Sequence, residues 1–199
     1  MWAADHRAHH RFTDTDRDPY NSKKGLFYSH IGWILTYDSS RFGKGGEGVD
    51  LSDLDRDRVV VWQRRAYLPL AGLMAFVFPA CVAGWLWGDW AGGFLYAGCL
   101  RVVIVWHISY CINSLAHWAG EQPYSARNTS RNHALLAVIT LGEGYHNYHH
   151  AFPRDYRNGP RWCDFDPTKW LIYWLEVVGL VWDVKRFRGA GLAKADIGL

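Results

Sequence analysis

The sequence predicts an all-α integral membrane protein: a transmembrane helical hairpin joined to a cytosolic helical domain that carries clusters of histidine. Three observations predict it. Two nearly uninterrupted apolar runs, Tyr67 to Trp87 and Gly92 to about Ile112, each reach the roughly 20 residues of a spanning helix, with the short turn Gly88-Asp89-Trp90 between them. Aromatic residues make up 16% of the chain, with twelve Trp, whose apolar ring and polar N–H favour membrane interfaces or a long apolar pocket. The pentad H-x-x-H-H occurs twice, as His6/His9/His10 and as His146/His149/His150.

In chain order, residues 1 to about 24 are polar and end in Asp18-Pro19-Tyr20-Asn21, a helix-stopping turn signal. The apolar segment Gly25 to Tyr37 would cover only about 18 Å as helix against roughly 30 Å of hydrocarbon, so it is expected to lie at the interface. A Gly-rich, then charged stretch from Gly43 to Arg65 leads into the hairpin. A hairpin returns the chain to the side it left, which lets both pentads meet. Arg64 and Arg65 precede the first span while the turn carries no Lys or Arg, so the positive-inside rule puts the pentads in the cytosol. Arg101, within the second span, must snorkel or pair inside the protein. Ala134 to Gly142 is again too short to cross, and Lys169 to Val184 is an amphipathic segment that either packs on the cytosolic domain or anchors at the interface. The resulting division is a cytosolic and interfacial segment with the first pentad (1–66), the transmembrane hairpin (67–112) and a cytosolic helical segment with Asn113-Ser114-Leu115-Ala116-His117 and the second pentad (113–199).

A chain of 199 residues suits one domain, and a net charge of +3 is too small to argue for a nucleic-acid partner. A mean hydropathy of −0.19 looks soluble only because it averages charged segments with apolar ones. The cysteines Cys81, Cys99, Cys111 and Cys163 show no C-x-x-C spacing and read as buried thiols facing a reducing compartment.

On a helix, residues i, i+3 and i+4 share one face, so each pentad presents three imidazoles in one direction. Neutral imidazole is the commonest metal ligand, and the pairing of pentads points to one shared metal centre. Asn113-Ser114-Leu115-Ala116-His117 closes the second span and puts Asn113 and His117 at i and i+4. His117 is then a seventh ligand, and Asn113 a direct, indirect or water-mediated partner. Seven imidazoles are too many for one tetrahedral ion and imply two metals. His30, His107 and His133 read as structural or solvated histidines.

These elements resemble one family in order and in sequence. His6-Arg7-Ala8-His9-His10-Arg11-Phe12-Thr13-Asp14-Thr15 with Asp18-Pro19-Tyr20-Asn21 is similar to the second histidine box of membrane-bound fatty acyl-CoA desaturases. Asn113-Ser114-Leu115-Ala116-His117 resembles their NS-x-A-H element, and Gly142-Glu143-Gly144-Tyr145-His146-Asn147-Tyr148-His149-His150 their third box. The match points to the stearoyl-CoA Δ9 desaturase group, and Asp166-Pro167-Thr168-Lys169 gives it a fungal look. The resemblance implies an oxidoreductase that inserts a cis double bond into a saturated fatty acyl-CoA in unsaturated fatty acid biosynthesis. It would use O2, a di-iron centre, and electrons from cytochrome b5 and its reductase. It also implies a multi-pass endoplasmic reticulum membrane location, with the bilayer as a further partner. The family's two irons would be held by His6, His9, His10, His117, His146, His149 and His150, with Asn113 reaching one metal through water. Asp5 and Tyr110 would contact substrate, although Ala4 stands where animal members place Arg.

The family's first box, H-x-x-x-x-H, and its first pair of spans do not precede His6, so the chain is expected to be N-terminally truncated; an H-P-G-G haem motif is also absent. Two other readings stand beside the first. One is another membrane di-iron oxygenase, a hydroxylase or an acyl-lipid desaturase; the other is an inactive membrane scaffold that keeps the boxes.

Overall fold

The computed structural model describes residues 2–38 and 48–187. The Gly43–Glu47 part of the Gly-rich stretch and residues 188–199 of the last predicted segment lie outside the described residues. Among the described residues the chain is mostly helical, with isolated bridges and no strand.

Helix α1 (Trp2–Phe12) carries the first pentad. It ends where Asp14 turns into a left-handed backbone conformation, φ 66°, and the chain folds through the Asp18-Pro19 turn. Helix α2 (26–35) buries Ser29 and Gly32 and leaves Phe27 and Leu35 exposed. The short α3 (Ser52–Arg56) is tied back to α1 by a two-pronged ion pair from the Arg7 guanidinium to Asp53, at 2.7 Å on each prong.

Two long helices follow, α4 (Arg58–Trp87) and α5 (Trp90–Trp118), both long and apolar enough to cross a membrane and almost wholly unburied by the rest of the chain. Asp57 starts α4 because its carboxylate accepts from the Val59 and Val60 amides at 2.8 and 3.2 Å. Gly88 stops it in the left-handed conformation (φ 77°), and Asp89 caps α5 through the Gly92 amide at 2.8 Å. The helices begin and end with polar turns that the apolar pattern does not count, so α4 starts before Tyr67 and α5 continues past Ile112. Near the turn, a Cβ on Gly93 would stand 2.6 Å from the Ala83 Cβ and 2.8 Å from the Pro79 carbonyl, so only hydrogen fits where the helices cross. Arg101 pairs inside the protein. Its guanidinium donates to the Ala97 carbonyl at 2.7 Å and, across the hairpin, to the Ala75 carbonyl at 3.0 Å. Pro79, four residues after Ala75, has no N–H to offer that carbonyl, which accounts for a cation in an apolar span.

Past α5 an irregular loop returns to the helices through α6 (Ala134–Ile139), α7 (His146–Ala151) and α8 (Pro167–Val177). Asn132 bridges both Glu121 and Tyr145, so the loop closes beneath α7. His133 is a helix cap, its Nδ1 accepting from the Leu136 amide at 3.3 Å. The predicted Lys169–Val184 helix stops at Val177, because Gly179 takes φ 76° and the Leu175 carbonyl collects the Leu180 and Val181 amides instead. One face of α8 packs through buried Lys169 while Leu171 and Trp174 are exposed, so the segment docks on the domain and also presents an apolar flank. The cysteine reading needs one correction. Cys81, Cys99 and Cys111 are half-buried, but Cys163 is exposed because it sits in the loop before α8 rather than in an apolar run.

The Gly93 crossing can be checked directly. Gly93→Leu is expected to destabilise the detergent-solubilised chain by about 1–3 kcal/mol through overpacking. Gly72→Ala, at a helical position with nothing within 4 Å of the added carbon, should be within about 0.5 kcal/mol of neutral. Thermal unfolding of the two variants measures the contrast.

Candidate metal centre

Small residues let the histidine-bearing helices approach. Ala4 and Ala8 on α1, and Ala116 on α5, are buried where larger side chains would hold the backbones apart. The seven predicted imidazoles meet there in two groups. One holds His9, His117, His146 and His150; the other holds His6, His10 and His149. Each pentad is shared between the groups. The i/i+4 pair of the first, His6 and His10, joins the i+3 histidine of the second, His149; the pair His146 and His150 joins His9.

Within the four-histidine group, Nε2 atoms stand 3.2 Å apart for His9–His150, 3.0 Å for His117–His146 and 3.1 Å for His146–His150. The other group has His10–His149 at 2.9 Å, His6–His10 at 3.1 Å and His6–His149 at 3.3 Å. Donors bound at about 2.1 Å to one cation are separated by about 3.0 Å at right angles and about 3.4 Å at the tetrahedral angle, so these spacings are edges of a coordination polyhedron. His9 directs Nδ1 to the Asp18 carboxylate at 2.8 Å and His117 directs Nδ1 to the Thr129 hydroxyl at 2.9 Å, contacts that place an Nδ1 proton on the far side of each ring. Their Nε2 lone pairs then face inward. The donor set therefore fits two metal ions.

The surroundings hold the rings in place. Asp18 also accepts the Asp14 and Tyr20 amides, each at 3.0 Å. Asn147, in the middle of the second pentad, points away from the centre: its carbonyl oxygen accepts the Tyr124 and Ser125 amides and its NH2 donates to the Ser125 and Ser130 carbonyls. Sequence reasoning gave Asp14, Asp18, Thr129 and Asn147 no part in supporting the ligands. A carboxylate a few residues beyond a histidine cluster was a usable signal for Asp18, because a ligating imidazole needs an acceptor for its other nitrogen. Thr129 carried none.

The remaining predicted site residues lie around the centre. Asn113 is half-buried, and the chain turns at Ser114 between it and His117, so the two do not sit on one unbroken helix. Asp5 is buried, and both of its oxygens lie 3.0 Å from the Tyr37 hydroxyl, which donates to it; burial raises its pKa. Tyr110 is half-buried with its ring against His30, Trp33 and His107. His30 and His107 pair with each other, Nε2 to Nδ1 at 3.0 Å, in a structural role.

Burial, followed by the neighbouring imidazoles, lowers His6 to about 3 and His149 to about 4, and holds His10, His146 and His150 well below the ordinary histidine range. These rings are neutral at physiological pH, the form that binds metal. Unfolding restores a pKa near 6.5, so below that pH the unfolded chain binds more protons than the folded one. Stability of the metal-free chain is therefore lost as pH falls from about 6.5 towards 4, by up to about 1 kcal/mol per imidazole per pH unit. Its thermal midpoint in detergent should drop between pH 7.5 and pH 5; a flat profile would contradict the buried neutral cluster.

Comparison with known proteins places this arrangement. The profile of the family described as "Fatty acid desaturase" matches residues 1–173. The chain is 52% identical over 187 residues to a "Probable acyl-CoA desaturase" of Schizosaccharomyces pombe, covering 94% of this chain and 38% of that protein. It is 44% identical to "Acyl-CoA desaturase 1" of Saccharomyces cerevisiae, over 98% of this chain and 38% of that protein. Against "Stearoyl-CoA desaturase 5" of Homo sapiens the identity is 42%, over 93% of this chain and 56% of that protein. The chain thus spans between about two fifths and somewhat over half of the length of these relatives. With the profile matching most of its length and all seven histidines converging, the chain belongs to the fatty acid desaturase family.

Proposed function

We propose that this chain serves acyl-CoA Δ9 desaturation, introducing a cis double bond into a saturated fatty acyl-CoA of the stearoyl-CoA type. The observation that carries the reading is the division of seven imidazoles into two metal-sized groups. His9, His117, His146 and His150 would hold one iron and His6, His10 and His149 the other, with Asn113 reaching a metal through water. When bound, the iron pair with O2 supplies the oxidant for an unactivated methylene, which no amino-acid side chain can attack. The balanced reaction takes O2, two electrons and two protons with the two hydrogens of the acyl chain, and releases two waters. Cytochrome b5 and its reductase are the electron donors in this reading.

The chain's own groups prepare the site. Asp18 aims His9, burial keeps His6, His10, His146, His149 and His150 unprotonated, and Asp5 and Tyr110 contact substrate. Helices α4 and α5 form a hairpin that crosses the endoplasmic reticulum membrane, with 67–112 as the membrane unit between an interfacial segment (1–66) and a cytosolic one (113–199). Their unburied apolar sides and the positively charged Arg64 and Arg65 at one end support this orientation. An inactive scaffold has less support, since the imidazole nitrogens of two separate groups keep the spacing of metal ligands.

Two experiments test the reading. The first replaces the matching segment of the Schizosaccharomyces pombe relative with this chain and expresses the chimera in a desaturase-deficient yeast. Growth without added oleate and monounsaturated product by mass spectrometry are expected, and His146→Ala should abolish both while the protein still enters the membrane fraction. Hydroxylated chains as the main product, or activity surviving in His146→Ala, would overturn the assignment. The second uses exposed Cys163 as a topological reporter. In sealed microsomes a membrane-impermeant maleimide added from the cytosolic side should label it, and protection until detergent is added would reverse the orientation.

A further inference from the structure

We propose that Asp14 and Thr129 are positioning residues for the four-histidine metal site, acting together as a carboxylate–hydroxyl relay that aims His117. The inference rests on the two-metal reading above. His117 has no carboxylate of its own; its Nδ1 meets the Thr129 hydroxyl at 2.9 Å. That hydroxyl donates its proton to the Asp14 carboxylate at 2.6 Å, so towards His117 it can only accept. The Nδ1 of His117 must then carry the ring proton, and Nε2 is left as a lone pair directed at the Nε2 of His146, 3.0 Å away. The tautomer that binds metal is thus set by a residue on the 119–133 loop and a carboxylate at the end of α1.

Asp14 is built into this role. Its amide donates to Asp18 at 3.0 Å, and Asp18 in turn holds His9. Its second carboxylate oxygen accepts the Thr129 amide at 2.7 Å, and the Ser22 hydroxyl donates to the first oxygen at 3.0 Å. To reach both Asp18 and Thr129 the residue adopts φ 66°, a left-handed conformation that disfavours a Cβ and is tolerated best by Asn and Asp. The strained residue sits between the supports of two ligands, His9 and His117, and both belong to the same group. His6, His10 and His149 touch neither Asp14 nor Thr129 in this arrangement, so the relay serves one metal and not the other.

The selectivity for one site makes the proposal testable without turnover. The whole chain in detergent is loaded with cobalt(II), and cobalt per chain and visible absorption are followed during titration with a competing chelator. The wild-type chain should hold two ions. Thr129→Val should weaken one of them by about 10- to 100-fold, the range found when the partner of a ligating histidine is removed, and leave the other at wild-type affinity. Asp14→Asn should do the same, while Thr129→Ser, which keeps the hydroxyl, restores both. Equal affinity for both ions in Thr129→Val, or equal loss of both, would overturn the relay while leaving the two-metal reading intact. A wild-type chain that takes up no cobalt would overturn that reading, and the relay with it.

Discussion

Imidazoles whose Nε2 atoms stand about 3 Å apart repel through their lone pairs unless a proton or a metal cation lies between the nitrogens, and the rest of the molecule is arranged around that constraint. A cluster of this kind does not form by apolar collapse. The buried set is dominated by Asp, His, Ser, Asn and small Ala side chains rather than by Leu, Ile or Phe. Its cohesion comes from hydrogen bonds between distant segments: Asp18 on His9, Asp14 on the 129 amide, Asn147 on the 124–130 loop. Each of these buried polar groups is costly if left alone and specific when paired, so the fold is tuned to a particular geometry more than to a large apolar core.

The long helices solve a different part of the problem. Because α4 and α5 run out and back through Gly88 and Asp89, His117 returns to the side on which α1 lies. Gly93 brings the two helices close near the turn, and the Arg101 guanidinium holds them through the Ala75 carbonyl further along. The polar end of α5 then breaks at Ser114, whose hydroxyl donates to the Tyr110 carbonyl at 2.7 Å and whose oxygen faces His30 Nδ1 at 2.9 Å. That break lets the last turn of α5 point His117 at the pentads instead of continuing along the span.

How much of this could be read in the sequence follows from the range of each interaction. The pentads, the two apolar runs and the Gly88-Asp89 turn are local patterns, and the structure reproduces them as α1, α7, α4 and α5. The convergence of all seven histidines was legible because a hairpin constrains where its ends go. The exchange of i+3 histidines between groups was not, since it depends on how two short helices face each other. Lys169 shows the same limit. Its ammonium is buried and donates to the Gly159, Arg161 and Asp164 carbonyls, partners that its position in the amphipathic segment does not announce. Long-range partners of this kind leave no mark in spacing or composition.

The two groups also differ in how they are held, and the difference follows from chain connectivity. The Asp14-to-Asp18 turn directly follows α1, so it can reach an imidazole on the last turn of that helix, His9, and a loop packed against its flank. His6 and His10 lie one full turn apart along the neighbouring edge of the same helix face and meet His149. A single turn of chain therefore cannot support both groups. It fixes the one that also receives His117 from the long apolar helix α5, where a ring without an aiming partner would be free to misplace its nitrogen.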